Sequence, residues 1–336
     1  DLILPLDRVG PEDLAEVGGK CLALSRMLNS GFRVPDTLCV SAKAYEAYVE
    51  HNGLRERILL ELNRKDFQDM RWEEIWDASL RIRNMFLTSP MPTGLAQELG
   101  REIGRSFGGD PVVVRSSAPA EDSARSSFAG LHESYVNVRG VDSILDHVKK
   151  VWASLWSDAA LLYRQELGLE VATSTMAVAI QEIVVGTCSG VAFGVNPNDP
   201  SQAVIESVHG LNQGLVDGAV EPDRWIVDRK TGDVLEHTTA TRERRMVPSP
   251  EGLSMESLSP ELSEKAPLDS EQVSAVFQVT KDLEQLFESP QDVEWTFREG
   301  RVYVLQSRPV TAGTGIQKGD QRSWYLSLRK SYENLK

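Results

Sequence analysis

Four residues within one short stretch have the chemistry to hold a metal ion and a phosphate. From Gln291 to Val310 the sequence alternates as a strand on either side of Glu299-Gly300. Val293, Trp295 and Phe297 interleave with polar residues before that turn, and a β-rich run from Val302 to Val310 follows it. A hairpin centred on Gly300 sets Glu294 opposite Gln306 and Asp292 opposite Arg308. Side chains alternate along a strand, so all four share one face. Carboxylate and amide oxygens suit Mg²⁺, which takes one or two carboxylates together with substrate phosphates. A guanidinium beside them suits a phosphate oxygen. The other face reads as apolar, with Tyr303 and Leu305 joining Val293, Trp295 and Phe297. A half-buried surface hairpin shows the same alternation, so the stretch alone leaves both readings open.

Two more cations stand where a phosphate could be met. Lys20 follows Gly18-Gly19 and precedes a helical pattern of Leu22, Leu24, Met27 and Leu28 that stops at Gly31. Glycines at a helix start expose backbone N–H groups, and that end of a helix attracts anions. The spacing is not that of a P-loop, and Cys21 stands where Ser or Thr would. Arg115 ends the apolar strand Val112 to Arg115, where a buried charge wants a counter-ion. It leads into Ser116 to Gly130, a run of small and hydroxylated residues suited to folding over a triphosphate. Of the histidines His51, His132, His147, His209 and His237, none has metal spacing, and His132 lies nearest this loop.

The elements that must position these groups alternate in type. A buried strand covers Leu38 to Val40, and helix covers Ala42 to Leu62 with an interruption at Asn52-Gly53. Residues 72–87 form a helix whose aromatic spacing reads as core packing, and Met91-Pro92-Thr93 opens another that reaches Phe107. Strand Tyr135 to Val138 precedes one long helix from Ser143 to Leu167. Met176 to Val185 reads as a central strand, whose edge from Gln181 to Val184 is placed to present backbone groups to a base. Ser189 to Val195 and Ala203 to Val208 are strands, Arg224 to Asp228 and Asp233 to Glu236 make a hairpin, and residues 241–265 read as irregular. Ser270 to Phe287 is the helix that delivers the chain to the Gly300 hairpin, and Ala312 to Gly315 reads as a linker.

Composition narrows the class. The chain has 336 residues, 41% hydrophobic and 26% charged, which is globular, with a net charge of −14 that argues against a nucleic-acid surface. Cys21, Cys39 and Cys188 have neither metal nor redox spacing, so free thiols in the cytoplasm are expected. There is no apolar run of membrane-spanning length, so no membrane partner is expected. The start at Asp1 and the stop inside the helix-compatible stretch Trp324 to Lys336 suggest a piece of a longer protein.

Taken together, Val17-Gly-Gly-Lys20, Val114-Arg-Ser-Ser117, Ser127-Phe-Ala-Gly130, Ser189-Gly-Val191, Pro222-Asp-Arg224, Gln291-Asp-Val-Glu-Trp295 and Leu305-Gln-Ser-Arg-Pro309 carry a resemblance over nearly the whole chain. The chain resembles the ATP-binding, ATP-grasp-like N-terminal domain of phosphoenolpyruvate synthase and pyruvate phosphate dikinase, a domain shared with rifampicin phosphotransferase. The resemblance implies an α+β, two-lobed nucleotide-binding domain with mixed and antiparallel sheets and flanking helices. Its lobes would be residues 1–182 and 183–312, with residues 313–336 as a linker and the start of a following domain.

It also implies roles. Lys20 and Arg115 would bind the phosphates of ATP, and Gly130 and its neighbours, Ser134 among them, would cover them. Gln181, Glu182, Ile183 and Val184 would line the adenine slot. Glu294 and Gln306 would hold Mg²⁺ with Asp292 close by, and Arg308 would contact the transferring phosphates. Two positions depart from the family pattern. Leu131 stands where Gln is usual, and Gln213 stands in Gly210-Leu-Asn-Gln213, where Gly-Leu-Gly-Glu is usual. In such enzymes ATP phosphorylates a histidine on a mobile carrier domain, and no segment here resembles that histidine segment. The implied activity is the phosphoryl-donating half of a pyruvate, water dikinase-like reaction. A rifampicin-type antibiotic phosphotransferase and a non-catalytic nucleotide-binding module are the alternatives.

Overall fold

A computed structural model describes residues 1–118, 122–123, 126–127, 133–169, 171, 173–250 and 252–310. Two antiparallel sheets organise it. The first has five strands in the spatial order Ile3–Pro5, Thr37–Val40, Ala177–Glu182, Val112–Ser117 and Ser134–Val138. The second has six, in the order Val234–Thr238, Asp223–Asp228, Gln202–His209, Cys188–Phe193, Gln291–Arg298 and Arg301–Pro309. Helices flank both, so the fold is mixed α/β with antiparallel sheets, as the sequence implied.

Alternation on the strand Ala177–Glu182 explains the layering. Val178 and Ile180 face a core built by Trp152, Phe86, Leu99 and Tyr48 from the helices Val141–Ser154, Trp72–Thr88, Thr93–Phe107 and Ala42–His51. The small residues Ala177 and Ala179 face the other way, with room for the helix Leu14–Asn29 to pack through Val17, Cys21, Leu24 and Met27. That helix shares its cluster with Trp225, Trp295 and Phe297 of the second sheet and with Val276 and Leu283 of the helix Ser270–Phe287. One apolar cluster therefore joins the sheets, and each fully buried large side chain in it stabilises the fold by about 2–3 kcal/mol.

Three expectations need correcting. Trp72, Trp76 and Leu80 are exposed rather than core. The buried stripe of their helix is Ile75, Ala78, Ser79, Ile82 and Phe86, and the aromatics occupy the adjacent face. The long helix expected over 143–167 is two, Val141–Ser154 and Asp158–Leu167. Ser157 caps the second by accepting from Ala160 N, and its own extended backbone ends the first. Residues 241–265 are not irregular. They contain an antiparallel ribbon, Arg244–Ser249 with Gly252–Ser257, and the short helix Pro260–Glu264. The ribbon crosses to the first sheet, where Asn137 Nδ2 donates to Ser249 O at 2.6 Å.

Candidate functional site

The hairpin turns at Glu299-Gly300. Glu299 and Gly300 both adopt positive φ, 53° and 72°, the backbone that closes a two-residue hairpin. Asp292 pairs with Arg308 and Glu294 with Gln306, the register expected. Beyond Glu294 the register shifts, and Trp295 faces Val304, Thr296 faces Tyr303, and Phe297 faces Val302. Val302 and Val304, not Tyr303 and Leu305, therefore share the apolar face with Trp295 and Phe297. The cause is a bulge at Leu305, because one extra residue turns every later side chain over. Leu305 is thereby released. Its carbonyl accepts from Gln181 Nε2 at 3.3 Å, and its side chain lines a cleft between the two sheets.

That cleft, about 140 Å³, collects most of the residues singled out from sequence. Arg115 and Ser134 enter from the first sheet, with Gln181 and Glu182 at the end of its central strand and Ile183 and Val184 just beyond it. Glu294 enters from the second. Arg115 Nη2 lies 3.7 Å from Glu294 Oε2, so the cation and the carboxylate meet across the sheets. Gln306 is Glu294's cross-strand partner. Beside it, Arg308 donates through Nε at 2.8 Å and Nη2 at 2.7 Å to Asp292 Oδ2. Burial pushes the Asp292 carboxyl up, with Arg308 pulling it back and Glu294 adding to the rise. A cavity of about 200 Å³ lined by Tyr45, Arg55 and Trp156 lies among the helices, away from this convergence of carboxylate, amide and guanidinium.

Two atoms here are conspicuous. Gln306 Oε1 and Arg115 Nε are buried and lack a hydrogen-bond partner among the described residues. A buried polar atom left unpaired costs about 1–3 kcal/mol, a cost that a bound ligand removes. An orphaned amide oxygen next to a carboxylate is the donor set of a hard cation, so Glu294 and Gln306 fit Mg²⁺. Among the described residues no three His, Cys, Asp or Glu side chains cluster as a metal cage. A metal completed by substrate phosphates needs no such cage.

Lys20 reaches the same neighbourhood by another route. Its Nζ lies 3.2 Å from Ser116 O and 3.4 Å from Ser116 Oγ, beside Arg115 in sequence. The glycines act differently from expectation. Gly19 N donates to Ala118 O at 3.2 Å, and Cys21 N donates to Ser117 Oγ at 3.1 Å. These N–H groups fasten the helix to the strand Val112–Ser117 instead of being offered to an anion. Gly18 has φ 75°, and a Cβ there would lie 1.9 Å from Ser117 O, so no other residue fits.

The adenine-slot residues also differ in one respect. Gln181 is no edge residue, since it pairs with Thr37 on one side and Val113 on the other. Glu182 N donates to Asp36 O and Ile183 N to Pro111 O. Glu182 also reaches Arg298 of the hairpin, Oε1 to Nη1 at 3.5 Å. Gly130 and His132 lie outside the described residues.

Sequence reasoning missed the walls of the cleft, Val113, Val136, Leu211 and Leu305, and the polar Asn212. It also assigned no role to Asp223. The carboxylate of Asp223 is buried and accepts from Arg242 Nε at 2.8 Å and Nη2 at 2.6 Å and pairs with His237 Nε2 at 2.7 Å. Burial works against its charge, but Arg242 and His237 outweigh burial and hold the carboxyl below the ordinary range. The Pro222-Asp-Arg224 segment thus fastens a strand to the loop after it, away from the cleft.

Comparison with known proteins gives a consistent set. Residues 14–324 match the family described as pyruvate phosphate dikinase, AMP/ATP-binding domain. The chain is 32% identical to a "Probable phosphoenolpyruvate synthase" of Methanocaldococcus jannaschii, over 94% of this chain and 27% of that protein. It is 32% identical to the phosphoenolpyruvate synthase of Pyrococcus furiosus, over 91% of this chain and 43% of that protein. It is 30% identical to the rifampicin phosphotransferase of Bacillus subtilis, over 99% of this chain and 39% of that protein. The chain therefore spans less than half the length of these relatives. Among the described residues no helix is long and apolar enough to cross a membrane.

Proposed function

Because the chain belongs to the pyruvate phosphate dikinase AMP/ATP-binding domain family, we propose that it is the phosphoryl-donating domain of a dikinase-type phosphotransferase. It binds ATP in the cleft between a first lobe, residues 1–182, and a second, residues 183–312, and transfers a phosphoryl group to a histidine on a separate carrier domain. The observation that carries this reading is the meeting of Arg115 and Glu294 across the sheets, beside the orphaned Gln306 Oε1.

In this reading Lys20 and Arg115 bind ATP phosphates, and Arg308, its fork oriented by Asp292, holds the transferring group. The loop through Gly130 to Ser134 covers the phosphates, and Gln181 to Val184 line the adenine slot. Glu294 and Gln306 hold Mg²⁺. When bound, the metal supplies neutralisation of the charge that develops on the phosphate oxygens. The protein's own work is positioning and electrostatic stabilisation, which is most of what phosphoryl transfer requires. The acceptor beyond the histidine follows the relatives' names. Pyruvate, as in a phosphoenolpyruvate synthase, is the first assignment, and an antibiotic, as in rifampicin phosphotransferase, is the second. Cytoplasmic residence is part of the proposal, supported by three buried free cysteines.

Calorimetric titration of this chain with ATP tests the binding step. Mg²⁺-dependent binding at roughly micromolar to millimolar Kd is expected of one open nucleotide site. No heat of binding at millimolar MgATP contradicts the proposal.

A further inference from the structure

We infer that Asn212 reads the adenine base and gives this site its preference for a 6-amino purine. The inference rests on the proposal that ATP occupies the cleft. Asn212 lines that cleft with Ile183, Val184, Leu211 and Glu294. It is 7% exposed, and its Oδ1 is buried without a hydrogen-bond partner among the described residues. Its backbone is fixed. Gly210 O accepts from Ser189 Oγ at 2.7 Å, Leu211 N donates to Met246 O at 2.9 Å, and Asn212 O accepts from Leu215 N and Val216 N at 3.0 Å. The main chain is thus committed while the carboxamide is left with an unused acceptor in a cleft that Val136, Ile183 and Leu211 also line.

A carboxamide carries an acceptor and a donor side by side. Adenine presents the complementary pair, the N6 amino donor next to the N7 acceptor, and guanine presents acceptors at both places. The unpartnered Oδ1 is the half of the pair that must be met by a donor, and on a purine in this cleft that donor is the 6-amino group.

The experiment deletes the contact from both sides. Calorimetry measures binding of MgATP, of the Mg complex of purine riboside triphosphate, which lacks the 6-amino group, and of Mg-2′-deoxyATP. The proteins are the wild-type chain, Asn212→Ala and Asn212→Gly, with Arg115→Ala as the reference for the cleft. The wild type is expected to bind ATP at least about tenfold more tightly than purine riboside triphosphate. Both Asn212 variants are expected to lose about tenfold in ATP affinity, keep their affinity for purine riboside triphosphate, and melt at the wild-type temperature. If the variants weaken both triphosphates equally but leave 2′-deoxyATP unaffected, Asn212 reads the ribose and the inference is overturned. If Arg115→Ala weakens ATP while the ATP preference survives in both Asn212 variants, the cleft stands and the inference alone is overturned. If Arg115→Ala binds ATP as the wild type does, the cleft itself is wrong and the inference falls with it. The ligand comparison on the wild type keeps the test decisive even if a variant fails to fold: equal affinity for ATP and purine riboside triphosphate overturns it.

Discussion

Two carboxylate–arginine clusters stand toward opposite ends of the six-stranded sheet, and they are built to different rules. At one end Asp223 is saturated. Arg242 grips it through two nitrogens, His237 adds a third contact, and Ala240 N donates at 3.3 Å. Arg242 spends its remaining nitrogen on Glu264 O and Ser263 O, and His237 stacks on Trp225 with ring centroids 4.4 Å apart. At the other end Arg115 and Glu294 meet at only 3.7 Å, and Arg115 Nε and Gln306 Oε1 lie buried and unpaired among the described residues. A polar cluster that satisfies itself holds the chain together. One that leaves its groups unsatisfied in the fold is paying a cost that a ligand can remove.

The comparison breaks first, and most visibly, in stability. Asp223→Ala leaves Arg242 buried without its partner, and about 3 kcal/mol of folding stability should be lost. Denaturant unfolding measures it. ATP affinity of the folded protein should not change. Loss of ATP binding without loss of stability would place Asp223 in the site and erase the contrast.

At the hairpin the order reverses. Arg308→Lys should lower phosphoryl transfer in the full-length protein about tenfold, since a point charge cannot reproduce the planar fork that also grips Asp292. Its unfolding midpoint should stay near wild type, because Arg308 is partly exposed. Gln306→Ala should lower transfer by a smaller factor, roughly three to ten, as water replaces a neutral metal ligand. It should leave stability unchanged or improved, because it removes an unpaired buried oxygen. A marked loss of stability in this variant would mean that Gln306 Oε1 is satisfied in the folded protein.

The smallest effect is in pH. The Asp223 carboxyl is held low in the fold, so its contribution is fully present above the unfolded value near pH ~3.9 and is lost as pH falls through the folded value. The Asp292 carboxyl is pushed up, so its ionisation costs stability as pH rises through its folded value. Asp223→Asn should therefore be destabilising at neutral pH, with the difference closing in acid. Asp292→Asn should change stability by less than about 1 kcal/mol at neutral pH and should flatten the fall that accompanies ionisation. Unfolding curves collected between pH 3 and 7 distinguish the two, and identical profiles would contradict the contrast.

Legibility in the sequence followed the range of the interactions. The pairs Asp292–Arg308 and Glu294–Gln306 agree with a loop centred on Gly300 only because the bulge offsets the two-residue turn, which by itself would set Glu294 opposite Leu305. The bulge at Leu305 was not readable, since one looped-out residue leaves no compositional mark, and everything between it and the turn was assigned to the wrong face. Gln181 looked like an edge because its ladder partners, Thr37 and Val113, lie 144 and 68 residues away in sequence, beyond any periodicity. The run Val112–Val114 is apolar on both faces of its strand, so Val113 could not be told from Val112 and Val114, although it lines the cleft while they fill the core. Asn212 was not singled out in the sequence, since only its place in the cleft and its lack of a partner among the described residues give it a task.

The central proposal is that the hairpin face carrying Glu294 and Gln306 supports phosphoryl transfer, and Glu294 is the residue on which it turns. Label transfer from ATP to the proposed carrier histidine should be measured in the full-length protein for the wild type and for Glu294→Gln, with unfolding midpoints measured alongside. The substitution keeps the shape and removes the charge, so transfer should fall by a factor on the order of a hundred or more while the midpoint stays in place. Transfer at the wild-type rate by a Glu294→Gln protein would contradict the assignment of this hairpin as the metal and phosphate site.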